Sequence, residues 1–442
     1  MNQLKKYVLS AIVACNIFII AGFWWMGSSV LFTDVSGGLL ALGRLTGLLA
    51  VYFVLLQFML MGRAVWVERT FGLDKLARIH RLNGYLSILF ILIHPLLIIF
   101  SYSMSGKLNF LEQFGDFLWN YEDVLSATIA AIIFLAVVFF SIYIVRKHLR
   151  YETWYYVHVL TYLAVLLAFD HQLKIGGDFL VNKLFVNYWY LLYVFVFGNV
   201  VVFRFLKPIY GFFRHRFTVD ELVQETPDTI SVYLKGNNMS SFRAEAGQFV
   251  IVRFLMKKLW TQAHPFSLSF LPKDDRIRVT IKSCGDFTCK ICDLKKGTRV
   301  LVEGPYGTFT VPEKSTARQK FLFIAGGVGI TPLRALIEKV APDHDVQLLY
   351  SSKTLQDTIF KKELDELAAT YHFPINYILT DQKDFAGEQG RLDQEKVKRL
   401  VKDVAEREVY ICGPKPMIDS LSKAVQELGV KRRSVHFEKF AL

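Results

Sequence analysis

Cysteine is scarce, with five residues in 442. Cys284, Cys289 and Cys292 follow C-x4-C-x2-C, the start of an iron–sulfur ligand pattern. No fourth ligand lies nearby and Cys412 belongs to a different motif, which argues against a cluster and for plain reduced thiols. Charge is also thin, at 21%, against 53% hydrophobic and 15% aromatic residues, too apolar for an ordinary soluble enzyme. The net charge of +13 points away from nucleic acid, because many of the basic residues flank apolar runs. There is no EF-hand, no SH3-type ligand and no long cytoplasmic extension, so no regulatory subunit is indicated and constitutive activity is expected.

The apolar residues crowd into the first half. Six runs are long enough to cross ~30 Å of hydrocarbon: Tyr7–Gly27, Gly37–Met61, Arg78–Tyr102, Leu125–Val145, Tyr151–Leu173 and Leu184–Leu206. Lys5, Lys6, Arg63, Arg69, Lys75, Arg78, Arg146, Lys147, Arg150, Arg204, Lys207, Arg214 and Arg216 all fall on one side of these runs. The loop Ser103–Val124 opposite holds Glu112, Asp116, Glu122 and Asp123 against Lys107. The positive-inside rule then places both termini in the cytoplasm of a multi-pass protein of the cell membrane. A rival reading of the N-terminus takes Lys5-Lys6 and Ile12-Val13-Ala14-Cys15 as a lipoprotein signal, although the apolar run continues through Phe18–Trp25.

Two of these runs carry paired histidines, which cost free energy in lipid unless they have a partner. His80 and His94 are 14 residues apart, which puts both rings within about 40° of one helix face and about 21 Å apart along it. His158 and His171 are 13 apart, which on a regular helix separates them by about 140°. The fifth span is therefore expected to be overwound or to end near Asp170. The two runs point the same way through the membrane, so His80 pairs with His158 on the inner side and His94 with His171 on the outer. Two metal centres stacked across the bilayer, each a haem with two axial histidines, fit that arrangement. Isolated core histidines are the plainer alternative, but four at matching depths disfavour it.

Beyond a basic hinge at Arg204–Arg216 the sequence turns globular. Phe217–Val223, Thr229–Leu234, Gln248–Phe254, Phe266–Phe270, Arg276–Lys282 and Arg299–Glu303 read as six short strands of an antiparallel β-barrel, closed by a turn at Gly304–Gly307. From Lys320 strands alternate with helices, the pattern of an α/β doubly wound domain. Phe321–Ile324 leads through Ala325-Gly326-Gly327-Val328-Gly329-Ile330-Thr331-Pro332 into a helix over Leu333–Val340. Such a glycine turn lets backbone approach a pyrophosphate at a helix N-terminus, though its spacing is not GxGxxG.

Paired histidines on the third and fifth of six spans, followed by such a reductase half, resemble the NADPH oxidase and ferric reductase superfamily. The resemblance covers nearly the whole chain. It implies a six-helix transmembrane haem bundle at 1–210, an FAD-binding β-barrel at 211–315 and an NADPH-binding domain at 316–442. It makes His80, His94, His158 and His171 the ligands of two b-type haems, and puts Arg44 beside the outer one. His264-Pro265-Phe266-Ser267 matches the family's HPFS/T flavin motif, with Ser269 on the same strand. Phe266 is expected on the isoalloxazine face, Ser267 near N5 and His264 toward the pyrophosphate. The second flavin motif is resembled by Lys282 to Thr288, which includes Gly285 and Phe287. A terminal aromatic, Phe440, stands where relatives stack one on flavin.

GGVGITP, with Gly326, Gly327, Gly329, Thr331 and Pro332, resembles the NAD(P)H loop of ferredoxin reductases. Ser351, Ser352 and Lys353 end the next strand and suit an adenosine 2′-phosphate, which favours NADPH. Cys412, Gly413 and Pro414 match the CGP motif that lies near the nicotinamide. The implied activity carries electrons from cytoplasmic NADPH through FAD and both haems to an extracytoplasmic acceptor, O2 giving superoxide. Superoxide-forming relatives often have another histidine one turn after the outer ligand, where this sequence has Ile98. A ferric or cupric chelate therefore remains an alternative acceptor, as does a periplasmic redox partner.

Overall fold

A computed structural model describes residues 2–142, 145, 151–175, 177–257, 259–283, 285, 287–311 and 318–439. Arg146, Lys147, Arg150, Cys284 and Phe440, singled out above, lie outside them. The chain forms two compact units, Met1–Phe205 and Leu206–Leu442.

The first unit is helical, because a backbone in hydrocarbon must satisfy its hydrogen bonds within its own segment. Its helices are α1 (Asn2–Ser28), α2 (Val35–Met61), α3 (Val65–Phe71), α4 (Leu73–Ser105), α5 (Phe110–Asn120), α6 (Val124–Ser141), α7 (Tyr151–Ile175), α8 (Gly177–Val181) and α9 (Lys183–Val200). Among the described residues, five helices are long and apolar enough to cross a membrane: Leu4–Leu31, Val35–Met61, Leu73–Ser105, Val124–Ser141 and Lys183–His215. The expected fifth span exists as α7 but is not among those five. Its 25 residues are enough to cross, and Asp170, Gln172 and Lys174 make its last turns polar. Nor does it end near Asp170, since it runs on to Ile175.

Among the described residues the most extensive helix contact is between α2 and α4, and glycine explains the approach. A Cβ on Gly43 would lie 2.6 Å from Ile98 Cδ1, and one on Gly47 would lie 2.8 Å from His94 Nδ1. Small residues four apart clear a groove on α2 into which the α4 side chains settle. By contrast α4 and α7 hardly touch, α4 lying mainly on α2 and α7 on α6.

In the second unit, α10 (Lys207–His215) leads into β1 (Thr218–Thr226), β2 (Thr229–Lys235), β3 (Phe249–Phe254), β4 (His264–Ser267), β5 (Arg276–Lys282) and β6 (Val300–Tyr306). These six antiparallel strands make two three-stranded sheets, ordered β1-β2-β5 and β4-β3-β6, rather than one continuous barrel. Isolated bridges at Leu268–Val279 and Thr218–Arg299 tie them. One apolar core, including Val232, Val252, Phe254, Val279 and Val300, fills the space between them.

The remaining strands are β7 (Lys320–Gly326), β8 (Asp345–Ser352), β9 (Ile375–Leu379), β10 (Glu388–Gln389), β11 (Glu408–Gly413) and β12 (Val435–Lys439). They form a parallel sheet ordered β10-β9-β8-β7-β11-β12, with α11 (Ile330–Val340), α12 (Lys361–Tyr371), α13 (Gln394–Leu400) and α14 (Lys415–Glu427) between strands. The order reverses between β7 and β11, and ligands of such sheets bind at the carboxyl ends of the strands flanking that point.

Candidate functional site

All four membrane histidines are paired across α4 and α7. The ring centroids of His80 and His158 are 6.0 Å apart, tilted by 56°, and those of His94 and His171 are 6.3 Å apart at 72°. Metal–imidazole bonds of about 2 Å on each side of one iron put ring centroids roughly 6 Å apart, so both pairs fit an axial ligand set. His94 Nδ1 lies 2.8 Å from the carbonyl of Gly43, so its Nδ1–H donates there and Nε2 is left for a metal. His158 Nδ1 is 3.4 Å from Ser141 Oγ, which in turn accepts from Trp154 Nε1 at 3.1 Å. Among the described residues, the buried Nδ1 atoms of His80 and His171 have no hydrogen-bond partner.

Arg44, on α2 next to Gly43, points to a residue the sequence did not reveal. Its Nη1 is 3.9 Å from Asp178 Oδ1 on α8, and Ser28 Oγ donates to the same oxygen at 2.7 Å. Asp178 is only 3% exposed and Arg44 26%, so the guanidinium carries its own counter-charge. Burial raises the carboxyl pKa above its ordinary value, and the Ser28 hydrogen bond and the Arg44 charge offset only part of that rise. An aspartate after a short glycine turn carries no sequence signal of that role.

The two flavin-like motifs meet through aromatic packing. The Phe287 ring is 3.9 Å from that of His264 and lies 6.2 Å from Phe266 at 22°. Phe287 itself belongs to the core. Pro265 is exposed, Phe266 half-buried and Ser267 buried. Gly285 N–H donates to Thr288 Oγ1 at 2.9 Å and has open space at its Cα, and Lys282 is paired with Asp228 at 3.1 Å. Ser269 departs from expectation. It is fully buried and its Oγ accepts from Arg278 Nε at 2.9 Å, so its hydroxyl serves the protein interior rather than a ligand.

At the sheet reversal, the GGVGITP and CGP loops touch backbone to backbone. A Cβ on Gly329 would overlap the Cys412 carbonyl, and one on Gly413 would lie 3.1 Å from the Gly326 Cα. Gly327 has φ of +53° and open space around it. Tyr350, missed in the sequence, holds this loop. Its buried hydroxyl donates to the Gly327 carbonyl at 3.2 Å and accepts from the Ile359 N–H at 3.0 Å. Thr331 donates to Val328 O at 2.9 Å, and both Thr331 and Pro332 are buried in the first turn of α11.

Ser351 pairs with Gly326 across β7 and β8, and Lys353 is exposed. Ser352 is not available to a phosphate, since its buried Oγ is engaged by Thr358 at 2.8 Å and by the Thr354 carbonyl. The Cys412 side chain is fully buried in an apolar cluster with Ala325 and Ile330. Burial pushes its thiol pKa well above the ordinary value, so it is a neutral packing group with no exposed face toward a nicotinamide. Pro414 is exposed and leads into α14.

Comparison with known proteins identifies the domains that carry these residues. Residues 46–169 match the ferric reductase like transmembrane component, 214–310 an FAD-binding domain and 323–423 an oxidoreductase NAD-binding domain. The chain therefore carries an FAD-binding domain and an oxidoreductase NAD-binding domain beside a ferric-reductase-like transmembrane domain. That combination is the architecture of the NADPH oxidase and ferric reductase superfamily.

Curated relatives include a flavohemoprotein of Bacillus subtilis, 25% identical, with 51% of this chain and 58% of the relative covered. An NADPH oxidoreductase of Mycobacterium tuberculosis is 29% identical, with 50% and 58% covered. The ferredoxin reductase component of a 3-ketosteroid-9-alpha-monooxygenase of Mycolicibacterium smegmatis is 31% identical, with 50% and 64% covered. The chain thus spans about 58–64% of the length of these relatives.

Proposed function

We propose that this chain carries electrons from cytoplasmic NADPH through FAD and two b-type haems to an acceptor on the other side of the cell membrane, O2 giving superoxide. The observation that carries this reading is the pair of cross-helix imidazole contacts at 6.0 and 6.3 Å, in the gap between two helices that otherwise hardly touch. His80 with His158 would hold the inner haem, and His94 with His171 the outer. Bound haem supplies a one-electron iron centre, and bound FAD converts a two-electron donor into single electrons.

The protein's own share is positioning. Gly43 fixes the tautomer of His94, and the apolar helices keep water from the route. The Gly326–Gly329 loop and the first turn of α11 receive the nucleotide pyrophosphate. No residue needs to abstract a proton for hydride to leave NADPH. Asp178 offsets the charge of Arg44, so the outer site offers no net cation to an anionic chelate, which favours a small neutral acceptor. In this reading α7 completes a six-helix bundle, the paired sheets act as the flavin barrel, and the N-terminus and reductase half face the cytoplasm.

The test is a purified chain in detergent, followed by dithionite-difference spectra and NADPH consumption with and without O2, superoxide dismutase and ferric chelate. The expected result is a Soret band lost on replacing all four histidines with leucine, together with NADPH oxidation that needs O2 and yields superoxide. A wild-type chain with no reducible Soret band, or equal turnover on ferric chelate without O2, overturns it.

A further inference from the structure

Arg278, on β5, is 2% exposed, unusual for a guanidinium, and its partners come from both halves of the reductase unit. On the flavin side it donates from Nε to Ser269 Oγ at 2.9 Å, from Nη2 to the Ser269 carbonyl at 3.2 Å and from Nη1 to the Tyr233 hydroxyl at 3.1 Å. On the nucleotide side it makes a two-pronged pair with Glu363 of α12, at 2.5 and 3.0 Å. The same carboxylate accepts from Arg334 Nε of α11 at 2.9 Å. Phe360 closes the cluster, with its ring 4.3 Å from the Arg278 guanidinium.

The two ends of this chain of contacts matter. Ser269 lies two residues beyond the HPFS strand β4. Arg334 sits in the helix whose first turn is the GGVGITP loop. We propose that the Arg278–Glu363–Arg334 cluster is a positioning device that fixes the flavin strand relative to the nucleotide loop and thereby sets the rate of hydride transfer. This rests on the reading that the unit oxidises NADPH with FAD. In that step the C4–H bond of the dihydronicotinamide breaks and its proton and two electrons pass together to flavin, leaving oxidised nicotinamide. Hydride transfer needs near contact, and misplacement by about 1 Å costs on the order of 100-fold in rate. A two-pronged guanidinium–carboxylate pair fixes direction as well as distance, which a lysine does not.

The experiment compares the full-length chain with Glu363→Gln and Arg278→Lys. It reads bound FAD per chain, NADP+ dissociation constant by direct titration, and anaerobic stopped-flow flavin reduction by NADPH and by its 4-deuterated form. The expected result is flavin reduction slowed at least about 10-fold in both variants with a larger isotope effect, while FAD content and NADP+ affinity stay within about twofold. Unchanged reduction rates, or a loss that follows lost FAD or weakened NADP+ binding, overturn the proposal. A wild-type flavin that NADPH leaves oxidised overturns the functional reading instead. The cluster is then judged by amide hydrogen exchange at Ser269 and the first turn of α11. Glu363→Gln speeds both together if the cluster pins them, and changes neither if it does not.

Discussion

His94 Nδ1 and the carbonyl oxygen of Gly43 lie 2.8 Å apart, a contact between α4, which carries the histidine, and α2, which orients it. The missing side chain of Gly47, one turn on, makes room for the same imidazole. Both contacts fall on the Nδ1 edge of the ring, which bonds the Gly43 carbonyl and fits the space left open at Gly47.

Gly47→Val tests that relation. Its side chain would occupy the space now taken by the His94 ring, whose Nδ1 is 2.8 Å from the Cβ position. Overpacking of this kind costs about 1–3 kcal/mol or displaces the neighbour. We expect the variant to lose close to half of the dithionite-reducible Soret absorbance, with His80 and His158 unaffected. Full haem content in the purified variant counts against the outer assignment.

Asp178→Asn removes the counter-charge of Arg44 while keeping a group that can accept from Ser28. Breaking a buried pair by removing one partner costs about 3–5 kcal/mol, less here because Arg44 is 26% exposed. The uncompensated guanidinium should draw anionic acceptors, so the ratio of ferric-chelate to O2 reduction should rise several-fold. Steady-state rates on both acceptors at low ionic strength measure it, and an unchanged ratio removes Asp178 from acceptor selection.

Tyr350→Phe deletes the hydroxyl between the Gly327 carbonyl and the Ile359 N–H. Each such hydrogen bond is worth about 0.5–1.5 kcal/mol, more where a buried partner is left unsatisfied. The expected outcome is an NADPH KM raised about 5- to 30-fold with haem and flavin spectra intact. An unaltered KM shows that the loop holds its shape without Tyr350.

Glu363 supplies a pH test. Burial favours its neutral form, but Arg278 and Arg334 outweigh burial and hold its pKa below the ordinary 4.5. A depressed folded-state pKa means that the unfolded chain binds the proton first. The pair therefore stabilises fully above the ordinary glutamate range, and that stability is lost as pH falls through the folded value. The thermal midpoint of the wild-type reductase unit should fall more steeply than that of Glu363→Gln between about pH 6 and about pH 3. Parallel curves show that another carboxylate governs acid unfolding.

Much of the molecule was legible from local pattern. The strands around Thr229–Lys235 and Arg276–Lys282, the α/β alternation after Lys320 and the glycine turn into α11 follow from alternation, turn residues and helix-start signals, all set by near neighbours in sequence. The direction of the two runs suggested which histidines pair, and those rings lie side by side, although the spacing of 13 on α7 did not align them. Where the reading failed, the deciding partner was remote. The division of six strands into two sheets depends on which edges meet, and Ser269 became an interior group because Arg278 turned toward it. Ser352 and Cys412 carried the right chemistry at the right strand ends, yet packing buried both.

The sequence by itself determined the order of the modules, the spacing of the four histidines and the glycine loops, because periodicity and hydropathy act over a few residues. Only the tertiary structure decided that Asp178 answers Arg44, that Tyr350 holds Gly327 and that Glu363 joins the flavin and nucleotide halves. Those pairs join residues 134, 23 and 85 positions apart, counting Arg278 as the partner of Glu363. A charge or hydroxyl at such a separation gives no pattern along the chain, and its worth appears only when folding removes the water it would otherwise bind.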